Sequence, residues 1–188
     1  TTFVSLEDWR SAIEAALNAN QLTLAQHPVL NKQGEMVHQE HYVRLLLDGH
    51  FRPAGYFVHW AARLDLIDEI DLAVVKQLIK QLSNDIHAAH DAAINISTAS
   101  LCSAYFREKA VELLTANPVA AKRIWIEFPE CAAIHHIDEL RGFALRLRGC
   151  GCKVGLEHVG LEFTQIHLLQ DLGLHYLKID AALSKDID

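Results

Sequence analysis

An α/β fold built around a parallel sheet is what this sequence predicts, and three observations predict it. Apolar strand-like segments and amphipathic helical segments alternate through the second half of the chain. They recur in units of about 25 to 30 residues, the length a strand–helix–strand crossover needs. With 188 residues, 51% hydrophobic and 22% charged, the chain can bury one substantial core. Several strand-like segments also end in polar residues, where parallel α/β folds assemble their sites. Residues 1–188 are read as one domain that opens on a helix at about 6–18.

Each element has its own signal. Leu6, Trp9, Ile13, Ala16 and Leu17 recur at helical spacing, predicting the first helix. Leu22–Leu30 and Met36–Leu47 are strand-like, and Asn31-Lys32-Gln33-Gly34 between them has hairpin turn chemistry. Pro53 starts a short helix to Arg63. A longer helix over Leu66–Leu82 carries Ile67, Ile70, Val74, Leu78 and Leu82 on one stripe, with Asp65 as its cap. Strands are then expected over Ala92–Ser97, Arg123–Phe128, Lys153–His158 and His175–Asp180, and helices over Ala99–Thr115, His136–Arg148 and Thr164–Leu172. The helix at 136–148 has Asp138 and Glu139 in its first turn and Arg146 and Arg148 in its last, as its macrodipole favours.

Composition narrows the function classes. No apolar run approaches the roughly 18 residues a bilayer span needs. The net charge of −7 argues against coating duplex nucleic acid, which needs a basic face, so no DNA or RNA partner is expected. A small anionic ligand held by a few cations fits this charge. Cys102, Cys131, Cys150 and Cys152 are read as reduced thiols, being too few and too irregular for a disulfide framework or a zinc ribbon. The twelve histidines show no HExxH spacing and are read as scattered surface and core residues. No phosphate-binding glycine loop or nucleophile elbow is present. Phe57 and Trp60 are assigned to the core rather than to a partner surface.

The chemistry concentrates at the strand ends. Asn95 and Ser97 end one apolar stretch, Glu127 the next, and Glu157 with His158 a third. Lys178 and Asp180 share a face two residues apart, and Glu40 and Arg44 lie within the second strand. A polar group in an apolar strand costs free energy unless paired, so several strands breaking pattern together point to one shared pocket. Glu40, Asn95, Glu127 and Glu157 form a hard-oxygen set of the kind Mg²⁺, Mn²⁺ or Ca²⁺ prefers. Arg44 and Lys178 are cations suited to a phosphate. Together they describe a phosphodiester site.

On these residues the chain resembles the EAL domains, which bind and often hydrolyse cyclic di-GMP. The family's Gln-Pro strand is similar to Gln26 to Pro28, and its Glu-Ala-Leu-x-Arg signature to Glu40-His41-Tyr42-Val43-Arg44. Asn95-Ile96-Ser97 resembles its Asn-Leu-Ser strand, and Ile126-Glu127-Phe128-Pro129-Glu130 its Leu-Glu-Ile-Thr-Glu motif. Glu157-His158-Val159-Gly160 lies over Asp-Asp-Phe-Gly, and Leu177-Lys178-Ile179-Asp180 keeps Leu-Lys-Ile-Asp. The resemblance implies a TIM-like (β/α) barrel. Such a barrel has eight strands in about 250 residues. Six strands are read here, so the last two βα units are expected to be missing from this chain.

The resemblance also implies a ligand and a ligand set. Cyclic di-GMP is expected to contact Gln26, Glu40, Arg44, Asn95, Glu127, Glu130, Lys178 and Asp180. Departures from the family point away from catalysis. In active members paired aspartates help hold two divalent metals; here Glu157 and His158 stand in their place, and Ala-Leu of the signature is lost beside Glu40. No active catalytic residue is therefore expected, with Glu40, Glu157 and His158 as degenerate positions. Glu40, Asn95, Glu127 and Glu157 are read as a vestigial metal set, and no cofactor is required.

The stretch from Glu157 to Gly160 and the segment 165–178 look most like LapD-type cyclic di-GMP receptors. That likeness implies flanking HAMP and degenerate GGDEF domains, a possible homodimer, and a cytoplasmic domain of a bacterial inner-membrane protein. The expected function is an inactive receptor that relays nucleotide binding to partner domains. The alternatives are an active phosphodiesterase needing Mg²⁺ or Mn²⁺, and a protein-interaction module that no longer binds nucleotide.

Overall fold

The computed structural model describes residues 3–84, 90–160, 169 and 172–180. The chain opens with α1 (Leu6–Asn18), started by a capping box. The Ser5 side chain accepts from Asp8 N, and the Asp8 side chain accepts from the Ser5 backbone. β1 (Leu22–Leu30) and β2 (Met36–Leu47) form the expected antiparallel hairpin. β3 (His50–Pro53) then folds back on β2, a strand that the sequence reading missed. Its turn signal is Asp48-Gly49, both at positive φ (52° and 74°), the conformation of a tight hairpin turn.

α2 (Ala54–Arg63) and α3 (Ile67–Asn84) follow. Asp65, expected as the cap of α3, instead takes the left-handed conformation (φ 56°) in the turn between the two helices. The crossover units come next: β4 (Asp91–Asn95), α4 (Thr98–Cys102), α5 (Ala104–Ala116), α6 (Pro118–Ala121) and β5 (Ile124–Pro129). The single helix expected over Ala99–Thr115 is two, because Ser103 leaves the helical conformation to cap the second. Its Oγ accepts from Phe106 N (3.2 Å) and donates to Asp68 (2.8 Å). α7 (Glu130–His135), α8 (Ile137–Gly149), β6 (Lys153–Val159) and β7 (Tyr176–Ile179) complete the described elements. The helix expected over Thr164–Leu172 lies outside the described residues, save for positions 169 and 172.

The seven strands make one sheet, ordered β1-β2-β4-β5-β6-β7, with β3 beside β2. β2, β4, β5, β6 and β7 run parallel, as the crossovers require. One face packs against helices. Leu45, Ile126, Phe128, Val154 and Leu156 lie on it, each at most 2% exposed, and Phe106, Phe143 and Leu147 cover it from α5 and α8. Phe57 joins this core, and Trp60 stacks on Trp9 with ring centroids 5.4 Å apart.

The other face is concave. β2 and β7 are separated by three strands, roughly 19 Å in a flat sheet with strands about 4.8 Å apart. Yet Lys178 on β7 hydrogen-bonds Glu40 on β2, a gap two side chains can bridge only if the sheet curls. That curl is the barrel geometry, and it turns every second residue of five strands toward one space.

Candidate functional site

Alternation selects the residues of the inner face. His38, Glu40, Tyr42 and Arg44 come from β2, Asn95 from the end of β4, Trp125 and Glu127 from β5, Glu157 from β6, and Tyr176 and Lys178 from β7. The parallel register sets Asn95 beside Glu127, and Glu40 beside Ala93. The small side chain of Ala93 leaves room for the carboxylates on either side.

Glu127 is the centre, with 1% exposure. Its oxygens accept from Lys178 Nζ (2.7 Å to Oε2) and from Tyr176 Oη (2.6 Å to Oε1). With its amide turned so that the nitrogen faces the carboxylates, the orientation that satisfies both ends, Asn95 donates to Glu127 (3.0 Å) and Glu157 (3.3 Å). Lys178 also donates to Glu40, whose other oxygen accepts from Tyr42 Oη. A buried carboxylate satisfied by an ammonium, a phenol and an amide meets the cost of its burial.

The charges follow from this wiring. Burial disfavours the charge on Lys178, but hydrogen bonds to Glu127 and Glu40 outweigh it and hold the ammonium above the usual lysine range. Burial likewise opposes ionisation of Glu40, yet its bonds from Lys178 and Tyr42 bring its pKa below the ordinary value. At Glu157 burial dominates and raises the pKa, with Glu127 adding to the effect against the opposing influence of His158. Burial and the nearby carboxylates raise the Tyr42 and Tyr176 phenols, which stay protonated and donate.

A layer of aromatic rings fills the space beneath Glu127. His38, Trp125 and Tyr176 pack there, with centroids 4.4 Å (His38–Trp125) and 4.8 Å (Trp125–Tyr176) apart. Lys153 lies over Trp125 (4.2 Å) and pairs with Asp91 (3.0 Å), which also accepts from Trp125 Nε1 (2.8 Å). Tyr176 reaches Glu127 because its ring lies against Gly155, where a Cβ would meet the ring at 2.4 Å. His38 is 2% exposed and neither ring nitrogen has a partner; burial, then Lys178, lowers its pKa to about 4.

The predicted residues divide into groups. Glu40, Asn95, Glu127, Glu157 and Lys178 converge as expected. Arg44 stands on the same face of β2, nearer the open end, with no ion-pair partner among the described residues. Gln26 does not converge. The hairpin register sets it opposite His41, on the face turned away from Glu40, and brings His27 opposite Glu40 instead. Glu130 is buried at the start of α7 and accepts from Gly160 N (3.0 Å), tying down the turn after β6. Ser97 serves α4: its Oγ accepts from Ser100 N (3.0 Å), and Asp71 binds both Ser97 N (3.0 Å) and Ser100 Oγ (2.6 Å).

A bulge between Leu156 and Val159 places His158 in the left-handed conformation (φ 55°), out of the strand's alternation. Its ring is 63% exposed and shares a hydrogen bond with Asp180 (Nδ1 to Oδ2, 3.0 Å). A cleft of about 280 Å³ opens beside the cluster. Tyr42, Asn95 and Glu157 line its polar side, and Phe57, Ile70 and Val74 its apolar side.

Reading by strand ends missed His38, Tyr42 and Tyr176. Tyr176 and His38 could have been found by counting back two residues from Lys178 and Glu40. Of the histidines read as scattered surface and core residues, His38 is a core one. His38, Glu40 and Glu127 offer donor atoms within 4.8 Å of one another, the sole such grouping among the described residues.

A curled parallel sheet with carboxylates and a lysine gathered at its carboxyl ends defines a (β/α)-barrel ligand site. A family profile for the EAL domain matches residues 10–188, and the chain belongs to that family. Cyclic di-GMP phosphodiesterase PdeF of Escherichia coli K12 is 23% identical over 180 residues, covering 93% of this chain and 24% of PdeF. The RNase E specificity factor CsrD of the same organism is 23% identical over 181 residues, covering 96% and 28% respectively. The chain thus spans about a quarter of these curated relatives.

Among solved structures, the apo S helix-GGDEF-EAL unit of Vibrio cholerae LapD matches with a TM-score of 0.89 at 20% identity. The match covers all of this chain and 46% of that one, and it is a likeness of fold. The Xanthomonas citri FimX EAL domain, solved in complex with c-diGMP, matches with a TM-score of 0.85 at 28% identity, covering 96% and 72%. No helix among the described residues is long and apolar enough to cross a membrane.

Proposed function

We propose that this chain is a cyclic di-GMP receptor domain that no longer carries out the phosphodiesterase reaction. The observation that carries this reading is His158, which stands at the position of one paired aspartate with its ring 63% exposed and hydrogen-bonded to Asp180. A pair of hard divalent ions, about 4 Å apart in a two-metal site, needs enough carboxylate charge to hold both. An outward-turned imidazole in place of a carboxylate removes part of that charge, and the two-ion site loses a ligand. Recognition is left to groups that need no metal. Arg44 takes a phosphate in bidentate fashion, and the cleft beside Asn95 and Glu157 offers an apolar wall to a purine. The FimX EAL domain, solved with this nucleotide at 28% identity, supports the choice of ligand.

The parent protein in this reading carries GGDEF and HAMP domains beside the receptor domain, pairs as a homodimer, and holds it on the cytoplasmic side of a bacterial inner membrane. Nucleotide occupancy is passed to those neighbours. A second reading, turnover, draws on the convergence of Glu40, Asn95, Glu127 and Glu157 around one space.

A titration with cyclic di-GMP, with and without Mg²⁺ or Mn²⁺, followed by product analysis, tests both. The receptor binds without turnover, equally well in either condition, and Arg44→Ala abolishes binding. Linear dinucleotide appearing in the metal-containing sample would overturn the reading. His158→Asp alone is expected not to create hydrolysis, because the signature strand is also altered, with His41-Tyr42 in place of Ala-Leu beside Glu40.

A further inference from the structure

We infer that the outer face of α2 is a docking surface for an acidic segment of a partner protein, gripped by the guanidiniums of Arg52 and Arg63 on either side of an aromatic stack. The floor of the stack is Trp9 of α1, which is 7% exposed. Trp60 lies nearly parallel to it with ring centroids 5.4 Å apart, Tyr56 meets it at 5.5 Å, and Phe3 closes on it at 4.6 Å. Arg52 sits over the Tyr56 ring, 4.8 Å from its centroid, and Arg63 over the Trp60 ring at 5.7 Å. Tyr56 and Trp60 are one helical turn apart on α2, so the order along the surface is Arg, Tyr, Trp, Arg. Tyr56 remains 38% exposed, and beside Phe3 the side chains of Val4 and Leu6 are exposed as well.

Tryptophan, tyrosine and arginine are the residues that carry most protein interfaces. Charge then selects the occupant. Neither Arg52 nor Arg63 has an ion-pair partner among the described residues; Asp48 acts on Arg52 through space without pairing with it. Arg52 Nε is buried with no hydrogen-bond partner, although buried polar groups are ordinarily bonded. Arg10 nearby is already committed, to Glu14 (3.2 Å) and to the Leu64 carbonyl (3.0 Å). A guanidinium stacked on a ring keeps its N–H fork at the edge, where a carboxylate takes it in bidentate fashion. The partner segment therefore offers two carboxylates flanking an apolar side chain that seats on Tyr56 and Trp60. A lipid surface fits less well, because Glu7, Glu14 and Asp48 offset the three arginines and leave no net positive charge for anionic headgroups. The inner face of α2 lines the cleft through Ala54, Phe57 and Val58, so docking surface and cleft lie back to back on one helix. This surface goes beyond the receptor reading and uses none of its ligand contacts, so either can fail without the other.

The probe is a displayed library of random peptides, selected on the native chain without nucleotide. Enriched peptides are expected to carry two acidic residues flanking an aromatic or aliphatic one. They should bind at least about tenfold more weakly to Arg52→Gln, Arg63→Gln and Tyr56→Ala. Selection repeated on Arg63→Glu is expected to exchange one of the acids for Lys or Arg. That exchange is a new binding preference, which a variant that merely failed to fold could not produce. Enriched peptides without acidic residues, equal binding by the variants, or no enrichment at all would each overturn the surface. Two further measurements on the native chain complete the test. Co-sedimentation with vesicles of anionic phospholipid that is lost in Tyr56→Ala would overturn the proposal in favour of a lipid surface. A dimer in analytical ultracentrifugation that Tyr56→Ala dissociates would overturn it in favour of a second copy of this chain.

Discussion

The two faces of the sheet are built from the same strands yet solve opposite problems. On the helix-packed face Ile124, Ile126 and Phe128 of β5 meet only apolar neighbours, and their burial is stabilising in proportion to area. On the inner face of the same strand, Trp125 and Glu127 are held by named partners: Asp91 for the indole, and Lys178, Tyr176 and Asn95 for the carboxylate. The first face tolerates any side chain of the right volume. The second tolerates very little, because removing one partner leaves another buried and unsatisfied. Stability is spread over the first face, whereas specificity is concentrated in a few bonds on the second.

Substitutions separate the faces, taken here from the largest effect on folding to the smallest. Phe128→Ala should cost about 3–5 kcal/mol in urea unfolding through the cavity it leaves, without altering nucleotide affinity in the folded fraction. Lys178→Met should cost about 3 kcal/mol or more, because it strips Glu127 and Glu40 of their cation. If Lys178→Met is as stable as the native chain, the inner face is not organised around that ammonium. Gly155→Val should cost about 1–3 kcal/mol by driving its Cβ into the Tyr176 ring, and should break the bond from Tyr176 to Glu127. Restoring stability with Tyr176→Ala, which removes the ring, in the same chain would show that overpacking alone was at fault.

Acid stability gives a subtler contrast. The His38 pKa is about 4 in the folded chain against 6.5 in the unfolded one. Below about pH 6.5 the unfolded chain takes up a proton that the folded chain refuses. Its contribution to stability is therefore complete above pH 6.5 and is lost as pH falls toward 4. His38→Leu should flatten this part of the stability profile; an unchanged slope between those pH values would contradict the assignment. The smallest effect on folding is expected for Arg44→Ala, within about 0.5 kcal/mol by urea unfolding, although in the proposed receptor this substitution should abolish nucleotide binding.

Much of the molecule was legible in the sequence. Helix and strand periods gave most elements to within a residue or two, since those periods reflect local backbone geometry. The misses have equally local causes. β3 was hidden because a four-residue strand carries too little alternation, though Asp48-Gly49 announced its turn. The helix at 99–115 looked continuous because Ser103 acts as a cap only once Asp68, 35 residues earlier, accepts its hydroxyl proton. Gln26 was expected as a ligand group from the likeness of Gln26 to Pro28 to the family's Gln-Pro strand. Strand register, which inverts faces with a shift of one residue, put His27 beside Glu40 instead.

The sequence by itself determined the order of elements, the apolar face and the set of polar residues that break it, because each is written in neighbouring residues. Only the tertiary structure decided which of those residues meet. Lys178 bonds Glu40 across 138 residues of chain, a contact set by the curl and twist of a whole sheet rather than by any segment of it. The same curvature turned His38, one of twelve histidines in the chain, into a buried imidazole facing two carboxylates. Distance in space between strands is a property of the closed sheet, and no local pattern encodes it.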